Sequence, residues 1–209
     1  QEHILSPRFG GPIVGAIQDH ISGLYLLTHG EKRFNESAAF DLLRMTTVDD
    51  LPDPDGTDDN GDEYWTGKTV FSLILPEGLD MEFESSAGDT VVIEDGELLD
   101  GTIDENAMGS FVGEIIDLVT KVYGESRSAQ LIDDASSLAI RAIMHFGFSF
   151  GIDDEDLPEE AHEEIDTSIV EAEREAERLI ETYERGELES LPGRTLEETL
   201  EMKIMQALG

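Results

Sequence analysis

The chain has 209 residues, 49 of them acidic and 13 basic, for a formal net charge of −36. That length holds one large domain or two small ones around a real core. Its lack of cysteine excludes disulfides and thiolate zinc sites, in keeping with a cytoplasmic protein. No apolar run approaches the roughly 18 residues of a membrane span and no signal-peptide pattern is present, so no membrane is expected among the partners.

The first 28 residues, QEHILSPRFGGPIVGAIQDHISGLYLLT, organise the rest. Ile4 and Leu5 read as an extended entry, Ser6 to Pro12 as a turn-rich loop, and the remainder as an apolar run ending in Gly23-Leu24-Tyr25-Leu26-Leu27-Thr28. Pro7, Gly10, Gly11 and Pro12 constrain the loop, since proline locks φ and glycine reaches angles other residues avoid. One charged side chain, Arg8, sits inside it. Gln18, Asp19 and His20 then interrupt a segment apolar enough to be buried, so they need hydrogen-bond partners or a wet cavity. By themselves these residues favour a buried cluster that only holds the loop.

Further along, Glu36 to Met45 is expected as a short helix with Ala39, Phe40 and Leu43 on its apolar side. Residues 48 to 63, VDDLPDPDGTDDNGDE, are dense in turn formers and are expected as a solvated, mobile acidic loop. A calcium loop does not fit. A start at Asp53 puts Asp58 where glycine is required, and a start at Asp58 puts Thr69 where the bidentate glutamate belongs. Thr69 to Leu75, with Val70, Phe71 and Ile74, reads as a strand stopped at Pro76. Met81 to Glu84 is a weak strand. Thr90 to Ile103 is a hairpin about Asp95-Gly96, a pair suited to a type I′ turn.

Two amphipathic helices follow. Ser110 to Tyr123 carries Val112, Ile115, Ile116, Val119 and Val122, closed by Gly124. Arg127 to Phe146 carries Ala129, Ile132, Ala135, Leu138, Ala139, Ala142, Ile143 and Phe146, closed by Gly147. His145 is expected to serve the carbonyls of that helix end. From Pro158 a long helix runs to about Arg185, its acidic first turn matched to the helix dipole. Ile165, Ile169, Ala172, Ala176, Leu179 and Tyr183 step by four and three, a heptad seam that needs a partner. Gly186 and Pro192-Gly193 mark a turn, and Thr195-Leu196-Glu197-Glu198 is a capping box opening a helix with Leu200, Ile204 and Leu208. An antiparallel hairpin of 158–185 against 195–208 is expected, because a short loop favours antiparallel neighbours. The fold class is therefore α+β: a small antiparallel sheet and hairpin with amphipathic helices, then a long helical hairpin.

Catalytic motifs are thin. Gly147-Phe148-Ser149-Phe150-Gly151 matches the G-x-S-x-G nucleophile elbow, but that turn must join a strand to a helix and here a helix precedes it. No zinc-protease, phosphate-loop or dinucleotide pattern occurs, and the spacing of His3, His20 and His29 fits no metal template. The acid excess marks either a disordered chain or a folded protein of a very salty cytoplasm, where the screening length falls to about 3 Å. Regularly spaced apolar residues, and nine arginines against four lysines, point to the second, a halophile. In strong salt the repulsion of phosphate by acidic surface weakens, so a nucleic-acid path would rest on shape and short-range contacts such as Arg8.

The blocks ILSP with its following proline, QD and GLYLLT, then GKTVFSLILP, IEDGELLDGTID and HFGFSFGIDD, resemble in the same order the largest subunit of multisubunit DNA-dependent RNA polymerases, its archaeal version above all. The resemblance covers nearly the whole chain apart from about residues 46 to 63. It implies that residues 1–145 form a pore region, and residues 146–209 a funnel, beside the active centre of a nucleotidyltransferase. Arg8, Gln18 and Asp19 would then line the pore wall, and Arg185, Glu187 and Arg194, at the hairpin tip, would touch a transcript-cleavage factor. The implied partners are the other polymerase subunits, DNA template, RNA transcript and nucleoside triphosphates. The implied cofactor, Mg²⁺, would be held by the aspartate loop NADFDGD, which in the family precedes the segment opening this chain. No catalytic or metal-binding residue is expected here, and the chain, beginning at Gln1, is expected to be a piece of a longer protein. Where eukaryotic relatives carry basic residues, this chain has Glu105 and Asn106, which puts a nucleotide-attracting role there in doubt. The reading from another class is a free-standing acidic helical-hairpin interaction module without polymerase activity.

Overall fold

A computed structural model describes residues 3–207, and the backbone divides into two compact units, Gln1–Phe148 and Ser149–Gly209. The first unit opens with helix α1 (Asp19–Thr28), strand β1 (Arg33–Phe34) and helix α2 (Glu36–Leu43). The Asn35 side chain caps α2 by accepting from the Ala38 N–H at 2.9 Å, and Ala39, Leu42 and Leu43 are its buried face. Two short strands follow, β2 (Gly56–Thr57) and β3 (Glu63–Thr66), which join β1 in an antiparallel sheet with β3 central.

Much of the acidic segment 48–63, expected as a mobile loop, is tied down. It supplies β2 and the start of β3, its Pro52 carbonyl accepts from Trp65 Nε1 at 2.9 Å, and Val48 and Leu51 pack on the core. The Asp55 carboxylate accepts from the Thr66 N–H at 2.5 Å and from Thr69 Oγ1 at 2.7 Å.

Residues 69–75 are not a strand. Helix α3 (Gly67–Ser72) runs there and breaks into a turn through Ile74 and Leu75. Two local causes override the β-branched composition. Thr66 is an N-cap whose side chain accepts from the Thr69 N–H at 3.2 Å. The buried positions Val70, Phe71, Ile74 and Leu75 also recur with helical rather than alternating spacing. The strand lies one step earlier, as β3.

The second sheet is a meander of β4 (Met81–Glu84), β5 (Thr90–Glu94) and β6 (Glu97–Asp100). Asp95 and Gly96 both have positive φ, 50° and 81°, which a type I′ turn requires. A short helix α4 (Glu105–Met108) then leads to α5 (Glu114–Tyr123) and α6 (Glu125–Phe146). The helix expected from Ser110 begins only at Glu114, because Met108 and Phe111 are hydrogen-bonded to the N-terminal segment instead.

Helix α1 lies along α6, with Leu24 and Leu27 from one and Leu131, Ala135, Leu138, Ala139 and Ala142 from the other fully or almost fully buried. Gly23 allows the approach: a Cβ there would sit 2.1 Å from the Ala139 carbonyl oxygen. Thr28, also buried, donates to the Leu24 carbonyl at 2.8 Å and accepts from the Ile103 N–H at 2.9 Å, stitching α1 to the connection between β6 and α4. Asp134 on α6 accepts from the Thr47 N–H and hydroxyl at 2.8 and 2.7 Å. His145 does not serve the carbonyls of its helix end; its ring packs edge-on to Phe34 at 5.6 Å.

The second unit has a 3₁₀ turn (Ile152–Glu155), α7 (Glu159–Glu184) and α8 (Leu196–Ala207). Ser149 follows α6 and its Gly147 cap and precedes that turn, so the strand-to-helix context of a nucleophile elbow is absent. The predicted capping box forms: Glu198 accepts from the Thr195 N–H at 2.8 Å, and Thr195 Oγ1 accepts from the Glu198 N–H at 3.2 Å. Helices α7 and α8 pack together, but the heptad seam is only partly covered. Leu179 is buried, whereas Ile165 and Ile169 are exposed. The physical reason is length: at about 1.5 Å per residue, α8 reaches along less than half of α7. Leu208 lies outside the described residues.

Candidate functional site

The N-terminal loop is a closed structure. Ile13 N–H donates to the Ile4 carbonyl, Ser6 N–H to Gly11 and Gly10 N–H to Ser6, all at 2.8 Å, and Leu5 and Pro12 form an antiparallel bridge. Gly10 takes φ 82°, which lets the chain reverse. Arg8 sits on this loop with its N–H bonded to Ser6 Oγ at 3.1 Å; its side chain is exposed and makes no ion pair among the described residues.

Beyond the loop, residues 12–16 run beside 108–111. Phe111 N–H donates to Pro12 at 3.0 Å and Ala16 N–H to Met108 at 2.7 Å. The backbones nearly touch: a Cβ on Gly15 would lie 2.6 Å from the Gly109 carbonyl carbon. Two glycines face each other because nothing larger fits. The chain then turns through Ile17–His20, closed by a 3.0 Å bond from His20 N–H to the Ile17 carbonyl. Gln18 occupies the first central position of that turn with φ 48° and ψ −117°, a type II′ geometry usually reserved for glycine. Its carbonyl accepts from the Ser22 N–H at 3.0 Å, so the strained residue starts α1.

The expected buried cluster of Gln18, Asp19 and His20 does not form. Gln18 and Asp19 are exposed and His20 is half-buried, its Nδ1 3.2 Å from the Ile17 carbonyl oxygen. The neighbouring apolar residues Ile13, Val14 and Ile17 are exposed as well. With its hydrogen bonds directed to 108–111 and the core filled by α1 and α6, this segment is left as surface. Asp19, in the first turn of α1, sits where a negative charge complements the helix dipole.

Of the three candidate wall residues, only Gln18 lines a groove: it shares about 600 Å³ with Ala16, Ile17, Ile21, Ser22, Glu105, Ser110 and Phe111. Phe111 also lines a second groove of about 810 Å³ with the Arg8-bearing loop at Phe9–Pro12, and with Phe83, Glu84, Asn106 and the start of α5. The structure therefore brings the loop and Gln18 to two grooves that share Phe111, and leaves Asp19 outside both. Glu105 and Asn106 are fixed by the cap of α4, where Asp104 accepts from the Asn106 N–H at 2.9 Å and Asn106 Nδ2 reaches the Glu84 carbonyl at 3.2 Å. Phe111 was not foreseen, because residues 110–113 read as the first turn of a core helix.

In the second unit, the candidate contact residues flank two successive turns, Arg185 and Glu187 at the first and Arg194 at the second. Gly186 takes φ 71°; its N–H donates to Tyr183 at 2.9 Å and the Glu187 N–H to Thr182 at 3.0 Å, the two bonds of a Schellman motif. Arg185 faces Glu187 at 3.6 Å and Glu181 at 4.0 Å, while Arg194, beside Gly193, has no ion pair among the described residues. Exposed pairs of this kind contribute little stability.

A resident Mg²⁺ does not fit these residues. Mg²⁺ takes oxygen ligands in near-ideal octahedral geometry, whereas among the described residues no three His, Asp or Glu side chains converge. Gln18 shares its groove with one carboxylate, Glu105. Nor is any helix among the described residues long and apolar enough to cross a membrane.

Comparison with known proteins agrees with the polymerase resemblance. Across its full length the chain is 60% identical to the DNA-directed RNA polymerase subunit Rpo1N of Halobacterium salinarum, of which it covers 22%. It is 49% identical to the same-named subunit of Methanothermobacter thermautotrophicus, covering 25% of it, and 42% identical to that of Thermococcus celer, covering 26%. The chain thus spans about a quarter or less of these relatives. A family model described as RNA polymerase Rpb1, domain 3, matches residues 3–155, which includes the whole first unit apart from its two initial residues. With nearly three quarters of its length matched by that model, the chain belongs to the RNA polymerase Rpb1 domain 3 family.

Proposed function

We propose that this chain is part of the largest subunit of the DNA-dependent RNA polymerase of a halophilic archaeon, and that it shapes the pore and funnel through which nucleotides and a transcript-cleavage factor reach the active centre. The observation that carries the reading is the family match over residues 3–155, joined to full-length identity with archaeal subunits named for that polymerase. The division into a pore, residues 1–145, and a funnel, residues 146–209, comes from the resemblance. Nucleotidyl transfer depends heavily on positioning, and the N-terminal loop suits a wall: its backbone closes on itself and holds Arg8 toward solvent. Gln18, locked by its turn, would add an amide at a fixed angle.

In this reading the enzyme works in the cytoplasm with the other subunits, DNA template, RNA transcript and nucleoside triphosphates. Mg²⁺ is bound by residues elsewhere in the subunit, and this segment supplies no catalytic group. A free-standing adaptor would need none of the family's ordered blocks, which weighs against it. The hairpin tip is the sharpest test. Removing residues 186–194 from the full-length subunit in the assembled enzyme should abolish stimulated transcript cleavage and spare RNA synthesis without the factor. Equal loss of both would overturn the funnel assignment.

A further inference from the structure

The surface around Phe111 is built for contact, although it belongs to a protein of net charge −36. Two uncharged stretches, Phe9–Gln18 and Asn106–Gly113, are hydrogen-bonded side by side. Between them they expose six large apolar side chains: Phe9, Ile13, Val14, Ile17, Phe111 and Val112, with Phe111 64% exposed and Phe9 54%. About half of six such side chains is on the order of 500 Å² of apolar surface, near the upper end of the largest patch on a free-standing monomer.

Backbone strain marks the same place. Three non-glycine residues have positive φ among the described residues, namely Gln18, Asp95 and Phe111. The hairpin turn accounts for Asp95. Gln18 and Phe111 both line the smaller groove. Phe111, at φ 74°, carries a bulky side chain in a conformation that glycine would adopt without cost. Its ring gains little from the fold in return: it faces solvent and meets Phe9 at a tilted 6.3 Å. What the ring contributes therefore lies outside this chain.

Charge decides the class of occupant. Lys121 is the sole cation lining either groove, and Asp117 engages it at 2.5 Å, while Glu84, Glu105 and Glu114 stand at the rims. Arg8, exposed on the adjoining loop, is one cation against these three carboxylates, so the surroundings repel phosphate and offer it little counter-charge. An uncharged apolar protein segment meets no such penalty, and strong salt, which screens the rim, favours apolar burial. We propose that the Phe9–Phe111 patch is the docking surface for an uncharged, apolar protein segment from elsewhere in the polymerase, seated across the two grooves. The proposal rests on the polymerase reading above.

The test uses the whole enzyme, with the full-length subunit carrying a photo-crosslinking phenylalanine analogue at position 111. Expected is a crosslink to a peptide of the polymerase whose contacting residues are apolar. In parallel, hydroxyl-radical oxidation of Phe9 and Phe111 should fall about sixfold between the isolated 209-residue chain and the assembled enzyme, as exposure drops to interface-core levels. Phe111→Gly should leave the thermal midpoint of the chain unchanged or higher, yet weaken assembly roughly tenfold or more, while Phe111→Leu keeps most of it. A crosslink to RNA or DNA, a crosslink to a second copy of this chain, or oxidation unchanged on assembly would each overturn the proposal. A subunit that enters no polymerase at all would instead bring down the functional reading, and the docking proposal with it.

Discussion

Replacing Gly23 by alanine tests whether the α1–α6 contact holds the candidate wall in place. An added Cβ would lie 2.1 Å from the Ala139 carbonyl oxygen and 2.7 Å from its carbonyl carbon, where ordinary contact begins near 3.4 Å. Because the obstacle is backbone, no side-chain rotation relieves it, and the helices must separate by roughly 1 Å, enough to forfeit a quarter to a half of each dispersion contact across the interface. Overpacking of this kind costs about 1–3 kcal/mol, and a backbone obstacle argues for the upper end. The better helix propensity of alanine returns about 1 kcal/mol. The net loss is therefore about 2 kcal/mol, a fall in the melting temperature of roughly 4–8 °C for a unit of this size. Thermal unfolding followed by circular dichroism in molar potassium chloride measures it. Ser22→Ala, one position away on the same helix, gains propensity without meeting backbone and serves as the control. An unchanged or raised midpoint for Gly23→Ala would refute the close-packing argument, and with it the claim that α6 sets the position of Gln18 at the head of α1.

Thr28→Val should destabilise the first unit by about 1–3 kcal/mol, because it leaves the buried Ile103 N–H without its 2.9 Å acceptor; denaturant titration reads the shift in midpoint. Arg8→Ala in the assembled polymerase should slow elongation or lower its fidelity at working salt, and unchanged kinetics would return that loop to a purely structural role. Asp89 is pushed up by partial burial but pulled further down by hydrogen bonds from Ser85 and Thr102, so its carboxyl lies below the usual value of 3.8. Its contribution to stability is accordingly present above pH 3.8 and is lost as the pH falls through its lowered value. Asp89→Asn should flatten the acid limb of a stability–pH curve below pH 3.8, and an identical acid limb would remove Asp89 from the account.

Local chemistry was legible wherever one stretch of chain settles its own conformation. The Asp95-Gly96 hairpin needs only the positive φ of two adjacent residues. Likewise the Thr195–Glu198 box satisfies its donors within one helical turn. The ordered polymerase blocks were legible for a similar reason, since each is a contiguous string. Arg8 lies on the loop between Ser6 and Pro12, and Arg185, Glu187 and Arg194 lie between α7 and α8, while their roles rest on the proposed function.

Long-range pairing decided the rest. Thr69–Leu75 has the composition of a strand, yet the Thr66 cap and helically spaced burial make it α3. Ser110–Gly113 has a helical pattern, but the 3.0 Å bond from Phe111 to Pro12, a residue almost a hundred positions earlier, holds it open and turns the ring outward. That same pairing exposes Ile13, Val14 and Ile17, which by hydropathy alone belong in a core. Spacing and turn residues determined most of the helices and the Asp95-Gly96 hairpin, and contiguous blocks the family, because each depends on neighbours a few residues apart. Which apolar residues remain at the surface, and which two stretches meet there, depends on hydrogen bonds between distant segments. Only the tertiary structure could decide that.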